Sequence, residues 1–276
     1  MAKKISLSPH NIRRFQKTIH DFYKKNGRDL PWRRTHDPYH ILVSEMMLQQ
    51  TQVERVIEKY DGFLEKFPHI QSLAKSRLNK VLSLWQGLGY NRRALLLHRA
   101  AQKAVKECNG SLPPDPQILQ QFPGIGPATA GAICAFSFNL PVVFIETNIR
   151  RVFIHFFFLH HTSIHDDQLM PLISSTLDEK NPRDWYYALM DYGTRLKKSS
   201  FNPNRRSAHY HRQSPFEGSN RQIRGTILRL LNQKKTQSKK DIIKAIGCDI
   251  KRIDKNLEQL TLEGFLIKKN DRFSIS

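Results

Sequence analysis

The sequence predicts a mainly α-helical fold in two parts, a long helical core and a small C-terminal unit. Apolar residues recur at helical spacing through most of the chain, with capping residues and Pro/Gly breaks between the runs. Nothing before residue 260 reads as a hairpin. Composition also shifts between Tyr192 and Phe216, a window that holds Arg195, Lys197, Lys198, Arg205, Arg206 and Arg212 and no acidic residue. That break divides the chain into a core at 1–194, a basic linker at 195–217 and a tail at 218–276.

Each element has its own signal. Asp37-Pro38, an N-cap with Pro in the first turn, opens a helix from Tyr39 to Gln50. Val53, Val56, Ile57, Tyr60, Leu64 and Phe67 then line one face of a second. Ser76 is placed to cap a helix that ends at Trp85, before Gly87-Leu88-Gly89. Asn91 is placed to cap the next, which ends at Gly110. Leu112 to Pro116 breaks the chain, and Asp115-Pro116 starts again. In the tail, a helix from Asn220 to Leu231 is followed by one capped by Ser238, a turn at Gly247-Cys248-Asp249 and a third helix to about Glu263. Two short strands then flank Asn270-Asp271, which completes the winged-helix order.

Charge narrows the function. There are 45 Lys+Arg against 24 Asp+Glu, a net +21 over 276 residues. An excess of that size points to a polyanionic partner. The longest apolar run, Val152 to Leu159, is interrupted by His155 and falls short of the ~20 residues a membrane span needs. No basic amphipathic helix with a Trp/Phe face stands out, so a membrane partner is not expected. Met1 to Lys4 has no apolar segment behind it, and Cys108, Cys134 and Cys248 are too scattered for a disulfide framework or a zinc ribbon. The expectation is a soluble, reduced, cytoplasmic nucleic-acid binder, associated with the nucleoid in a prokaryote.

The sharpest motif is Leu119 to Ala130, with Phe122-Pro123-Gly124-Ile125-Gly126-Pro127 at its centre. Two glycines one residue apart permit a tight hairpin, and the N–H groups of the following helix's first turn point at whatever anion approaches. Such a helix-hairpin-helix holds DNA by its backbone without reading sequence. Two acids sit oddly among apolar neighbours, Glu45 in Val43 to Leu48 and Glu146 after Val142-Val143-Phe144-Ile145. A buried carboxylate is costly unless paired, hydrogen-bonded or protonated. One reading makes Glu146 or Asn148 a cap for the next helix and Glu45 a satisfied core carboxylate. The other makes them a proton donor and an ionised partner, as glycosidic cleavage requires.

These stretches, together with Leu30-Pro31-Trp32-Arg33-Arg34, Ser44 to Val53, Leu84 to Tyr90, Thr147 to Val152 and Ala188 to Gly193, resemble the helix-hairpin-helix (HhH-GPD) DNA glycosylases, and among them the MutY-type adenine glycosylases. The resemblance covers about residues 10–195, in order. It implies a two-lobed glycosylase core with Glu45 as the general acid, Glu146 as the carboxylate that stabilises the sugar cation, and Asn148 beside it. Gln49, Gln50, Thr51 and Tyr90 fall where the family probes the opposite base and wedges the duplex, with Arg92 alongside. Gly124, Ile125, Gly126 and Thr129 form the DNA-gripping hairpin, and Arg28, Leu30, Trp32 and Ala128 line the base pocket. Ala128 stands where bifunctional relatives carry a lysine, so a monofunctional enzyme is implied.

The chain departs from that pattern in three places. Glu146 replaces an aspartate, which moves the carboxylate by roughly 1.5 Å, and about 1 Å of misplacement can cost on the order of 10²-fold in rate. The four cysteines that bind an iron–sulfur cluster in the family are missing, and His209 and His211 read as solvent-facing or phosphate contacts. No cofactor and no metal are therefore expected. A Nudix-like C-terminal domain is not apparent; the tail carries 14 Lys+Arg and 6 Asp+Glu instead, a net +8 that favours DNA contact. The expected activity is base excision repair by a monomer acting on double-stranded DNA, removing adenine opposite 8-oxoguanine or G. The alternatives are a catalytically weak mispair- or lesion-binding protein and a glycosylase for another damaged base.

Overall fold

A computed structural model describes residues 7–198 and 201–276 of the chain; Met1 to Lys4, read above for targeting signals, lie outside the described residues. The helices are α1 (Pro9–Asn26), α2 (Pro38–Leu48), α3 (Val53–Lys66), α4 (Ile70–Ala74), α5 (Leu78–Trp85), α6 (Arg92–Glu107), α7 (Pro116–Leu119) and α8 (Pro127–Phe138). They continue with α9 (Thr147–Phe157), α10 (Asp166–Thr176), α11 (Pro182–Lys197), α12 (Asn220–Lys234), α13 (Lys239–Ile246) and α14 (Ile250–Leu262). Strands β1 (Thr236–Ser238), β2 (Leu266–Lys269) and β3 (Arg272–Ile275) form a sheet in the order β1-β3-β2, antiparallel throughout. No described helix is long and apolar enough to cross a membrane.

The chain forms two compact units, and α2 passes from one into the other. The first unit comprises Met1–Ile41, Pro113–Gln121 and Ile125–Arg212. Its core is α9 packed on α11, with α1, α8 and α10 around them. Phe15 of α1 meets Phe153, Phe156, Phe157 and Trp185 edge-on, at centroid distances of 5.0–5.7 Å. A charged cluster is buried beside them. The Asp191 carboxylate receives both guanidinium arms of Arg33 at 2.8 Å, Nε of Arg28 at 2.6 Å and the Arg28 backbone N–H at 2.8 Å. Burial alone would raise the Asp191 pKa, but Arg33 and Arg28 hold it below the usual carboxylate range. Arg33 also lies over the Tyr187 ring, 4.4 Å from its centroid.

The second unit comprises Leu42–Leu112, Phe122–Gly124 and Gln213–Ser276. Here α4 and α5 pack on α6, and α3 packs on α5. The tail has the winged-helix order, and its α12 lies on α5. Ser238 and Asp241 form a reciprocal capping box at α13, and the β2–β3 turn falls at Asn270-Asp271, both of positive φ.

Local details depart from the sequence reading. Helix α2 stops at Leu48 because Gln50 turns to φ 56°. The buried stripe of α3 runs through Val56, Tyr60 and Phe63 and leaves Ile57 exposed. Ser76 does not cap α5; its hydroxyl donates to the Leu73 carbonyl and closes α4, a helix that propensity did not reveal. Asn91 precedes α6 in a helical conformation, and its side chain makes no capping bond. Strand β1 was also missed, since three residues carry no readable alternation. Helix α11 runs on to Lys197, past the expected start of the linker, and Pro203 and Asn204 of that segment are buried.

Asp191→Asn leaves two guanidinium groups facing a neutral amide. The expected cost is about 3–5 kcal/mol at neutral pH, read as a fall in denaturation midpoint. Because the folded-state pKa of Asp191 is depressed, wild-type stability from this cluster is present above the ordinary carboxylate range and lost on acidification. The gap between wild type and variant therefore narrows as pH falls; a gap independent of pH would contradict the cluster's role.

Candidate active site

In the first unit the site is built on the N-terminus of α9. Glu146 is its N-cap residue. One carboxylate oxygen accepts from the backbone N–H groups of Asn148 (2.6 Å) and Ile149 (2.8 Å), and the other from the Asn148 side-chain amide (3.2 Å). Burial pushes the Glu146 carboxyl above its usual pKa; the Asn148 and Ile149 N–H groups, then Arg151 and Arg150, work in the opposite direction without cancelling it. Glu146 therefore does cap α9, and its half-buried carboxylate is a charge that its surroundings disfavour.

Asn148 is held in turn. Arg151 donates to its side-chain oxygen at 2.6 Å and to the Gly193 carbonyl at 2.7 Å. A Cβ on Gly193 would lie 2.5 Å from the Asn148 carbonyl oxygen, so α11 approaches α9 this closely only with glycine there. The segment after α11 closes the far side. Asn202 accepts from Arg151 Nε at 3.0 Å, Asn204 donates to the Thr147 carbonyl at 2.9 Å, and Arg206 donates to the Phe158 carbonyl at 2.6 Å. Ile164 and Ser207 pair as a parallel bridge beside it.

The same unit holds Arg28, Leu30, Trp32, Ile125, Gly126, Ala128 and Thr129. Leu30, Trp32, Ile125 and Thr129 are buried, Ala128 is half-buried, and Arg28 is bound to Asp191. Helix α8 starts at Pro127 after Gly126, whose φ is −90° and beside which a Cβ would meet nothing within 4 Å. The fold thus leaves open space at the first turn of α8. Gly124, by contrast, has φ 80°, and a Cβ there would come within 2.8 Å of Leu96 and 2.9 Å of Met46.

Glu45, Gln49, Gln50, Thr51, Tyr90, Arg92 and Gly124 belong to the second unit. Glu45 is half-buried on α2 between Ser44 and Met46, both buried. Gln50 and Arg92 are exposed. The loops that carry Gln49 to Thr51 and Leu88 to Tyr90 are fastened together by Arg93, which the sequence reading passed over for its exposed neighbour. The buried Arg93 guanidinium donates to the carbonyls of Met46 (2.8 Å), Met47 (2.8 Å), Gln49 (2.5 Å), Leu88 (3.2 Å) and Gly89 (3.0 Å) and to the Thr51 hydroxyl (2.9 Å). Burial pulls it down to a pKa of about 10.

Residues 43–176, which include both acids and the hairpin, match the HhH-GPD superfamily base excision DNA repair protein family. This stretch is therefore similar to the HhH-GPD superfamily. It is 38% identical over 184 residues to an adenine DNA glycosylase of Buchnera aphidicola subsp. Baizongia pistaciae, covering 65% of this chain and 52% of that one. Identity to the human adenine DNA glycosylase is 36% over 191 residues, covering 65% and 35%. A solved thermostable thymine-DNA glycosylase superposes with a TM-score of 0.64 at 26% identity, over 70% of this chain and 90% of that one. The chain thus spans about half, or less, of the length of these adenine glycosylases.

A resident iron–sulfur cluster does not fit the donors of this chain. Cys134 is buried in α8 and its thiol pushed up to about 11 by burial, while Cys108 and Cys248 lie in the second unit. Among the described residues no three His, Cys, Asp or Glu side chains gather as metal ligands. His209 and His211 are exposed.

Arg93→Met would orphan the acceptors of two loops at once, with an expected loss of about 3 kcal/mol or more. Arg93→Lys restores only part of it, since an ammonium lacks the fork that reaches both loops. Amide hydrogen exchange in 46–51 and 88–90 checks this; protection unchanged in both variants would contradict the assignment.

Proposed function

We propose that this protein is a monofunctional DNA glycosylase that removes adenine mispaired with 8-oxoguanine or guanine. The observation that carries the reading is Glu146, a half-buried carboxylate fixed by two backbone N–H groups at the start of α9, its pKa raised by burial. A carboxylate fixed in place and partly shielded from water stabilises a developing cation more than a freely solvated one does. The similarity to chains named adenine DNA glycosylase supports adenine as the base.

In this reading the adenine is flipped from the duplex, and Glu45 gives it a proton as the C1′–N9 bond breaks. Glu146 stabilises the oxocarbenium-like sugar, with Asn148 held beside it by Arg151. Water adds its hydroxyl to C1′, its proton returns to the Glu45 carboxylate, and an abasic site is left. The chain stays uncut, because Ala128 offers no amine for a Schiff base. The first turn of α8, open at Gly126, takes a backbone phosphate, and Gln49, Gln50, Thr51, Tyr90 and Arg92 meet the opposite base and its strand. The basic tail adds a second grip, and the protein works as a monomer without cofactor. The basic segment at 195–217 stands in for the cluster loop in this reading, and its Asn202, Asn204 and Arg206 bind it to α9 and the residue after it.

The curled position of the Glu146 carboxylate, spent on its own helix cap, favours a second reading, a mispair-binding protein with slow chemistry.

Single-turnover base release from duplexes with A opposite 8-oxoguanine, A opposite G, and T or U opposite G separates these readings. Adenine release without strand scission is expected, falling about 10²–10⁴-fold in Glu45→Gln. Affinity should drop steeply with added salt. No release from any duplex, with tight mispair binding kept, supports the binding protein; release unaffected by Glu45→Gln overturns the assignment of the acid.

A further inference from the structure

Tyr90 stands on a sharp turn, with φ of 94° at Gly87, 72° at Gly89 and 47° at Tyr90 itself. Its half-buried ring has two guanidinium neighbours, Arg93 at 5.5 Å and Arg221 at 5.3 Å from the centroid. Arg93 is spent on backbone carbonyls. Arg221 differs in origin and in target, because it belongs to α12, the first helix of the tail. Its Nη1 donates to the Tyr90 phenol oxygen at 2.6 Å, and its Nη2 donates to the carbonyls of Ser214 (2.6 Å) and Pro215 (3.3 Å). One planar fork thus ties the turn at Tyr90 to the tail and to the segment that enters it.

The tail is seated independently of this contact. Ile227 and Leu228 are buried where α12 lies on α5, Arg99 of α6 donates to the Glu263 carbonyl at 2.8 Å, and Arg224 pairs with the Glu263 carboxylate at 2.6 Å. Arg221 is therefore not needed to dock the tail, and a surface arginine near DNA has phosphate as an obvious partner. Its commitment to a phenol calls for another account. A phenol oxygen that accepts from a guanidinium keeps its O–H as a donor, and among the described residues it has no other hydrogen-bond partner.

We propose that Arg221 is a positioning residue for base-pair interrogation, fixing the Tyr90 phenol so that its O–H donates to an acceptor atom of the duplex. The winged tail then takes part in reading the mispair as well as in holding DNA. The inference rests on the glycosylase reading for its DNA partner.

The test uses the full chain carrying Glu45→Gln, which halts release, and duplexes with 2-aminopurine opposite guanine or opposite thymine. The fluorescence rise in stopped flow reports extrusion of the base. Arg221→Met and Tyr90→Phe should each slow the rise on the mispaired duplex roughly tenfold, the scale of one charge-assisted hydrogen bond. The double variant should be no slower than either single one, and Arg221→Lys should recover part of the rate. Additive losses, or weaker binding to both duplexes at an unchanged extrusion rate, would overturn the inference and make Arg221 a phosphate contact. A rise in the Glu45→Gln chain that Arg221→Met leaves intact overturns this inference alone. No rise with any form overturns the glycosylase reading and this inference with it.

Discussion

A half-buried carboxylate that caps α9 is the constraint around which the first unit is organised. Glu146 gives up part of its hydration and receives two backbone N–H groups and an amide in exchange, and burial still raises its pKa. Such a charge is tolerable only where its donors cannot drift. Helix α11 therefore comes close enough at Gly193 to touch Asn148, and Arg151 crosses between them. Arg150 is steadied by Asp166 at 2.6 Å, and Asn202 and Asn204 close the outside. Each contact exists to keep one short piece of backbone in place.

The second unit solves a different problem with the same means. In the proposed function these loops meet the duplex, so they project into solvent and yet must not fray. One buried guanidinium collects the carbonyls of both loops, so their tips at Gln50 and Tyr90 are exposed or half-buried while their bases are rigid. Positive φ at Gln50 and Tyr90 is the local strain this fastening sustains.

Much of this was legible in the sequence, for reasons that can be named. The hairpin was readable because Gly124 takes φ of 80°, where a Cβ would crowd Leu96 and Met46. The tail was readable because Ser238, Gly247 and Asn270-Asp271 are strong local signals. Glu45 and Glu146 stood out because acids are rare among apolar neighbours. The supporting network was not legible. Arg93, Arg151 and Asp191 look in sequence like the many surface charges of a chain with net +21, and only tertiary structure shows them buried. The segment after α11 read as a linker because its Pro, Asn and Arg residues are loop formers; its bonds go to backbone carbonyls and to Arg151, which leave no sequence pattern. Ser76 and Asn91 misled because capping depends on backbone geometry as much as on residue type.

The central claim is that the Glu146 carboxylate is held half-buried for chemistry, at some expense in stability. Glu146→Gln tests it directly, since the amide keeps an acceptor for the Asn148 and Ile149 N–H groups and removes the charge. A raised folded-state pKa means that wild type loses stability as pH rises through it, while both forms are alike below the ordinary carboxylate range. The account predicts that the variant melts higher than wild type at neutral pH, that the difference vanishes on acidification, and that single-turnover adenine release falls by at least about 10²-fold. A variant that melts lower at neutral pH and still releases adenine at the wild-type rate would make Glu146 a helix cap only and contradict the account.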